Sequence, residues 1–134
     1  MAQVNLNLKK ELFVPNFYPL LLDYSHRWEF YCGSSGSGKS YRIAQKIIIR
    51  CCREPIRVLV CRRYATTLRN SCFALFKEIL GKWRLTPTYV KVRETDMSIH
   101  FPNGSQIIMC GLDDEEKLLS LTNISTIWVE EVFQ

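Results

Sequence analysis

The chain has 134 residues, of which 47% are hydrophobic and 12% aromatic. That is enough for one domain with a sizeable core, and too apolar for a disordered chain. No apolar run reaches the ~18 residues of a membrane span, and Met1 to Leu12 lacks the basic start and long apolar core of a secretory leader, so a cytosolic protein is expected. The net charge of +5 is unevenly spread. Lys39 to Arg69 carries nine basic residues and one acid, Glu54, whereas Gly111 to Gln134 carries six acids and one lysine. The basic block suits DNA or RNA, and it equally suits an ordinary solvated face beside a phosphate site.

Residues 1–27 read as a lead-in segment with Pro15, Pro19 and the aromatics Phe13, Phe17, Tyr18 and Tyr24. It is expected to be partly helical between Pro19 and Tyr24. Its aromatics suit either stacking on an adenine base or covering a sheet edge. Residues 28–134 read as one domain, incomplete at its C-terminal end. Trp28 to Cys32 is predicted as a strand. Gly33-Ser34-Ser35-Gly36-Ser37-Gly38-Lys39-Ser40 then spells G-x-x-x-x-G-K-[ST], the phosphate-binding P-loop. Glycines let its backbone N–H groups close on an anion, together with the N-terminus of the following helix. Lys39 supplies a cation to the β- and γ-phosphates of a nucleoside triphosphate. Ser40 offers a hydroxyl to Mg²⁺, a hard ion that prefers oxygen. A Gly/Ser-rich linker rarely sits between a strand and a helix pattern, so the P-loop reading is preferred.

After the loop, Ile43, Ala44, Ile47, Ile48, Cys51 and Cys52 recur at helical spacing. Arg42, Lys46, Arg50 and Arg53 are expected on the opposite face. Glu54-Pro55 ends the helix. Ile56 to Cys61 is a buried strand with Arg62-Arg63 at its carboxyl end, where open α/β sheets bind ligands. Those arginines suit phosphate or nucleic-acid contacts, or a solvated strand end. Leu68 to Trp83 is a second helix with a core stripe. Tyr89 to Arg93, Met97 to Phe101 and Ser105 to Cys110 alternate as strands, with a hairpin turn at Pro102-Asn103-Gly104. Gly111 to Leu121 becomes helical, with Asp113 and Asp114 as its caps. The six cysteines show no C-x-x-C pair and fall in apolar runs, so small buried thiols are expected rather than a zinc site.

Ile124, Ile127, Trp128 and Val129 form the last apolar strand, and Glu130-Glu131 follows at once. This is the Walker B arrangement a P-loop ATPase needs. Glu130 is expected to help hold Mg²⁺ through its water shell, and Glu131 to polarise the attacking water. An exposed acidic pair is the less favoured reading. The order of elements predicts an α/β fold: a three-layer P-loop NTPase with a mainly parallel sheet and an inserted β-hairpin. About ninety residues separate Lys39 from Glu131. That leaves room for an additional strand and points to the catalytic-glutamate division of P-loop proteins.

From about Phe17 onward the chain resembles the large subunit of tailed-phage terminases. The resemblance is carried by Phe17-Tyr18, the P-loop, Val58-Leu59-Val60-Cys61-Arg62 and Thr67-Leu68-Arg69-Asn70-Ser71. It continues through Phe101-Pro102-Asn103-Gly104-Ser105, Gly111-Leu112-Asp113-Asp114 with Glu116-Lys117, and Ile127-Trp128-Val129-Glu130-Glu131. It implies an ATPase using ATP and Mg²⁺ to drive double-stranded DNA into an empty capsid. Such a motor works in the host cytoplasm as a homo-oligomeric ring docked on the portal protein, without a membrane, and a small terminase subunit selects the DNA. The family's C-terminal nuclease is expected to be absent from this chain, which reads as an N-terminal fragment. Many family members carry Arg where this chain has Ser35. The alternatives are another P-loop DNA motor, such as a helicase fragment, or a fragment that holds nucleotide without turnover.

Overall fold

A computed structural model describes residues 6–13 and 15–131. The first five residues of the lead-in segment and the last three of the predicted domain lie outside them. Helix α1 spans Lys39–Arg53, with Ala44, Ile48 and Cys51 fully buried on its apolar stripe. Strand β1 is Arg57–Arg62. A continuous helical run follows: α2 (Ala65–Leu68), a π-helical stretch at Arg69–Phe73, and α3 (Ala74–Lys82). Next come β2 (Lys91–Arg93), β3 (Ser98–His100), β4 (Gln106–Gly111), α4 (Glu115–Ser120) and β5 (Thr126–Val129).

The five strands form one sheet in the order β2-β3-β4-β1-β5. Central β1 pairs in parallel with both β4 and β5, whereas β2–β3 and β3–β4 are antiparallel. The expectation of a mainly parallel sheet is therefore corrected to an evenly mixed one. The hairpin does not stand apart as an insertion, because β3 is hydrogen-bonded directly to the parallel strand β4.

Side chains alternate across the sheet. Val58, Val60, Ile107 and Met109 face the main core under α1 and α3. Leu59, Cys61 and Cys110 face a smaller cluster under Leu118, Leu121 and Ile124. The result is three layers with unequal cover. Phe13, Phe17 and Leu21 of the lead-in segment pack into the main core. Their helical turns lie at Lys10–Leu12 and Pro15–Leu20, earlier than the Pro19–Tyr24 position read from the sequence. A Pro at the first helical position needs no N–H partner, so Pro15 starts the turn.

Trp28 to Cys32 is not a strand; these residues have no regular structure, and Trp28 and Phe30 are 73% and 86% exposed. A strand needs a neighbour for its backbone groups, and none of the described strands runs beside this segment. Glu29 is drawn instead onto α1, where its carboxylate accepts from Lys46 Nζ at 2.7 Å and from the Tyr31 hydroxyl.

Candidate functional site

The P-loop turns through Gly36 and Gly38, whose φ of +75° and +76° are costly for any residue with a Cβ. Gly38 is the N-cap of α1, so Lys39 and Ser40 occupy the first helical turn. There the free N–H groups and the helix dipole favour an anion. Lys39 Nζ is folded into the loop: it donates to Gly33 O at 2.6 Å, Ser34 O at 2.8 Å and Ser37 Oγ at 3.0 Å. Ser35 is exposed at the tip.

The far end of the chain comes to the same place. Parallel pairing sets Cys61 beside Val129, and Glu130 N donates to Cys61 O at 2.9 Å. This holds Glu130 at the carboxyl edge of the sheet. Ser40 Oγ donates to Glu130 Oε1 at 2.5 Å, across ninety residues of sequence. Glu131 turns away with φ +56° and pairs with Arg62 Nη2. Arg62, Arg63, Tyr64, Thr67, Glu130 and Glu131 line a cleft of about 250 Å³ at these strand ends. Cys72 sits beneath it; burial, with the Glu130 charge adding, pushes its thiol up to about 12. Ser40 and Glu130 are hard oxygen donors, the set that suits Mg²⁺. Among the described residues no cluster of three or more His, Cys, Asp or Glu side chains is placed to hold a metal.

The basic face read along α1 is not an open one. Lys46 is buried against Glu29 at 2.7 Å, and Arg50 pairs with Glu54 at 2.7 Å and donates to Thr126 Oγ1 at 3.0 Å. Arg42 lies over the Phe17 ring, and its Nε is buried without a hydrogen-bond partner. These basic residues serve packing around α1; Arg53 and Arg63 are exposed.

Sequence reasoning gave both aspartates after β4 to one helix. Asp114 does cap α4, accepting from Lys117 N at 3.1 Å, but Asp113 Oδ1 accepts from Ala65 N at 3.0 Å and so caps α2. The Arg62–Glu131 pair was also missed as a pair. Only the parallel register of β1 and β5 brings the two together, and no local pattern encodes it.

A family model described as phage terminase large subunit matches residues 25–134. The chain is 37% identical over 117 residues to the PBSX phage terminase large subunit of Bacillus subtilis (strain 168), covering 87% of this chain and 27% of that protein. It is 32% identical over 105 residues to the terminase large subunit of Bacillus phage SPP1, covering 75% of this chain and 25% of that one. The chain thus spans about a quarter of the length of the curated relatives it matches. No solved structure matches it significantly. No helix among the described residues is long and apolar enough to cross a membrane. On the family match and these identities, the chain belongs to the phage terminase large subunit family.

Proposed function

We propose that this chain is the ATP-binding and ATP-hydrolysing motor segment of a terminase large subunit, powering the packaging of double-stranded DNA into a procapsid. The observation that carries the reading is the 2.5 Å contact between Ser40 Oγ and Glu130 Oε1, which joins the P-loop to the acidic pair after β5. In this reading residues 33–40 cradle the triphosphate, and Lys39 leaves the loop carbonyls for the β- and γ-phosphate oxygens. Ser40 and Glu130 would hold Mg²⁺, Glu130 by way of water, and the bound ion would supply charge neutralisation at the phosphate oxygens. Glu131 orients the attacking water. The water oxygen bonds to the γ-phosphorus, the bond to the bridging oxygen of ADP breaks, and the water's proton passes to the Glu131 carboxylate.

The mixed sheet belongs, in this proposal, to the additional-strand, catalytic-glutamate type, with residues 28–134 as the ATPase domain and 1–27 leading into it. Family membership supports the further parts of the proposal: a DNA partner, a portal protein, a small terminase subunit, a homo-oligomeric ring and action in the host cytoplasm. In the intact protein, Lys39→Ala should abolish ATP turnover, measured as phosphate release. Turnover equal to that of the parent would overturn the assignment.

A further inference from the structure

We propose that the sheet face turned away from α1 is a docking surface for the phosphate backbone of duplex DNA, held by Lys91 and Arg93 of β2 and Arg57 of β1. The inference rests on DNA as the partner in the reading above and adds where it lies. Alternation turns Val92, Ile99, Ile107 and Val58 toward the main core. Their neighbours face the other way, and the strand register aligns Lys91, His100, Gln106 and Arg57 in one row across β2, β3, β4 and β1. Arg93 and Ser98 begin the next row. A sheet face covered by its own chain is apolar. That holds farther along this face, where Leu59, Cys61 and Cys110 lie under Leu118, Leu121 and Ile124. The row from Lys91 to Arg57 is instead polar at every strand, and Lys91 and Arg93 are exposed. It lies at the opposite end of β1 from Arg62 and the cleft, so it is separate from the nucleotide site.

Among the described residues Lys91, Arg93 and Arg57 form no ion pair. The acids beside them are engaged elsewhere. Glu94 accepts from Lys77 Nζ at 2.9 Å and from Arg69 Nη1 at 3.3 Å, and Asp96 accepts from the Ser98 hydroxyl at 2.7 Å. Arg57 donates to two neutral acceptors, Gln106 Oε1 at 3.3 Å and Thr122 O at 2.5 Å, which orient its guanidinium without cancelling its charge. Cations without counter-ions on one face draw a polyanion. Neighbouring strands are about 4.8 Å apart, so the row separates Lys91 from Arg57 by about 14 Å. That is close to the ~12 Å width of the DNA major groove, so the two ends of the row reach phosphates on either side of it. Phosphate contacts carry no sequence information, which suits a protein that must move along DNA.

The test is fluorescence anisotropy of a labelled duplex of random sequence, titrated with the intact protein at several salt concentrations. The parent is compared with Lys91→Gln/Arg93→Gln, with the charge-keeping Lys91→Arg/Arg93→Lys, and with Lys82→Gln on α3, beyond the main core. The double Gln variant should bind about tenfold more weakly, and its slope of log affinity against log salt should be shallower by about 2. The charge-keeping variant and Lys82→Gln should match the parent. An unchanged affinity and slope in the double Gln variant overturns the docking surface alone. Aggregation of that variant with its DNA affinity intact does the same, and assigns Lys91 and Arg93 to guarding the β2 edge against another chain. An equal loss in the charge-keeping variant also overturns it, since charge is then not the cause. A parent that binds no duplex DNA removes the DNA partner itself, and this proposal with it.

Discussion

A methyl group on Gly111 would overlap the Asp113 carboxylate and the backbone N of Ala65, and would approach Ala65 Cα at 2.8 Å. This one position lets the end of β4 run against the start of α2. There Asp113 accepts from a first-turn N–H that has no partner within the helix. Gly111→Ala should cost about 3 kcal/mol through backbone displacement. Urea denaturation checks it; a midpoint within error of the parent contradicts it. The sequence marks Gly-Leu-Asp-Asp as a motif, but not that its first aspartate serves a helix forty-eight residues upstream. The loop residues 33–40 were legible for the opposite reason: their chemistry is local, written in glycines and a lysine at fixed spacing. The cysteines divide in the same way. Burial raises the thiols of Cys51, Cys61 and Cys72, as apolar surroundings predict. Cys32, placed by its neighbours in a strand, is exposed.

At the scale of elements, periodicity found α1, β1, the Ala65–Lys82 helical run and the three strands of the antiparallel half, within a few residues. It could not show what the Asn-Gly-Ser turn does. Asn103 Nδ2 donates to Cys51 O at 2.8 Å, and Ser105 Oγ shares its hydrogen between Cys51 O and Glu54 O, both at 2.9 Å. The hairpin turn thereby closes the carboxyl end of α1, whose last carbonyls lack helical partners. Trp28 to Cys32 failed as a strand because an apolar run states burial preference and not who its neighbour is. The same gap appears at β5. No described strand pairs with its outer edge, and Ile127 is 61% exposed. An unpaired apolar edge invites another chain. The 134-residue chain alone should therefore self-associate as its concentration rises, and Ile127→Lys should reduce this. Light scattering that finds a monomer at every concentration contradicts the expectation.

Across the whole molecule, the parallel half of the sheet gathers the candidate site. β4, β1 and β5 end at one edge, so Gly111, Arg62 and Glu130 meet there although the sequence disperses them. α1 packs beneath that sheet and delivers Ser40 to the same edge. The charge asymmetry of the sequence takes on a local meaning: a basic stretch and an acidic one are paired in part across β1 and β5, as Arg62 with Glu131. In the proposed function, Ser40 of the P-loop and Glu130 after β5 share one Mg²⁺–ATP site. The most direct test is the Mg²⁺ dependence of ATP turnover in the intact protein, for the parent, Ser40→Ala, Glu130→Gln and the double variant. Each single change should raise the Mg²⁺ needed for half-maximal rate by about tenfold or more. The double variant should fall well short of the sum of the two effects in free energy, because both residues serve one ion. An unaltered Mg²⁺ requirement in the single variants, or fully additive effects in the double, would contradict the account.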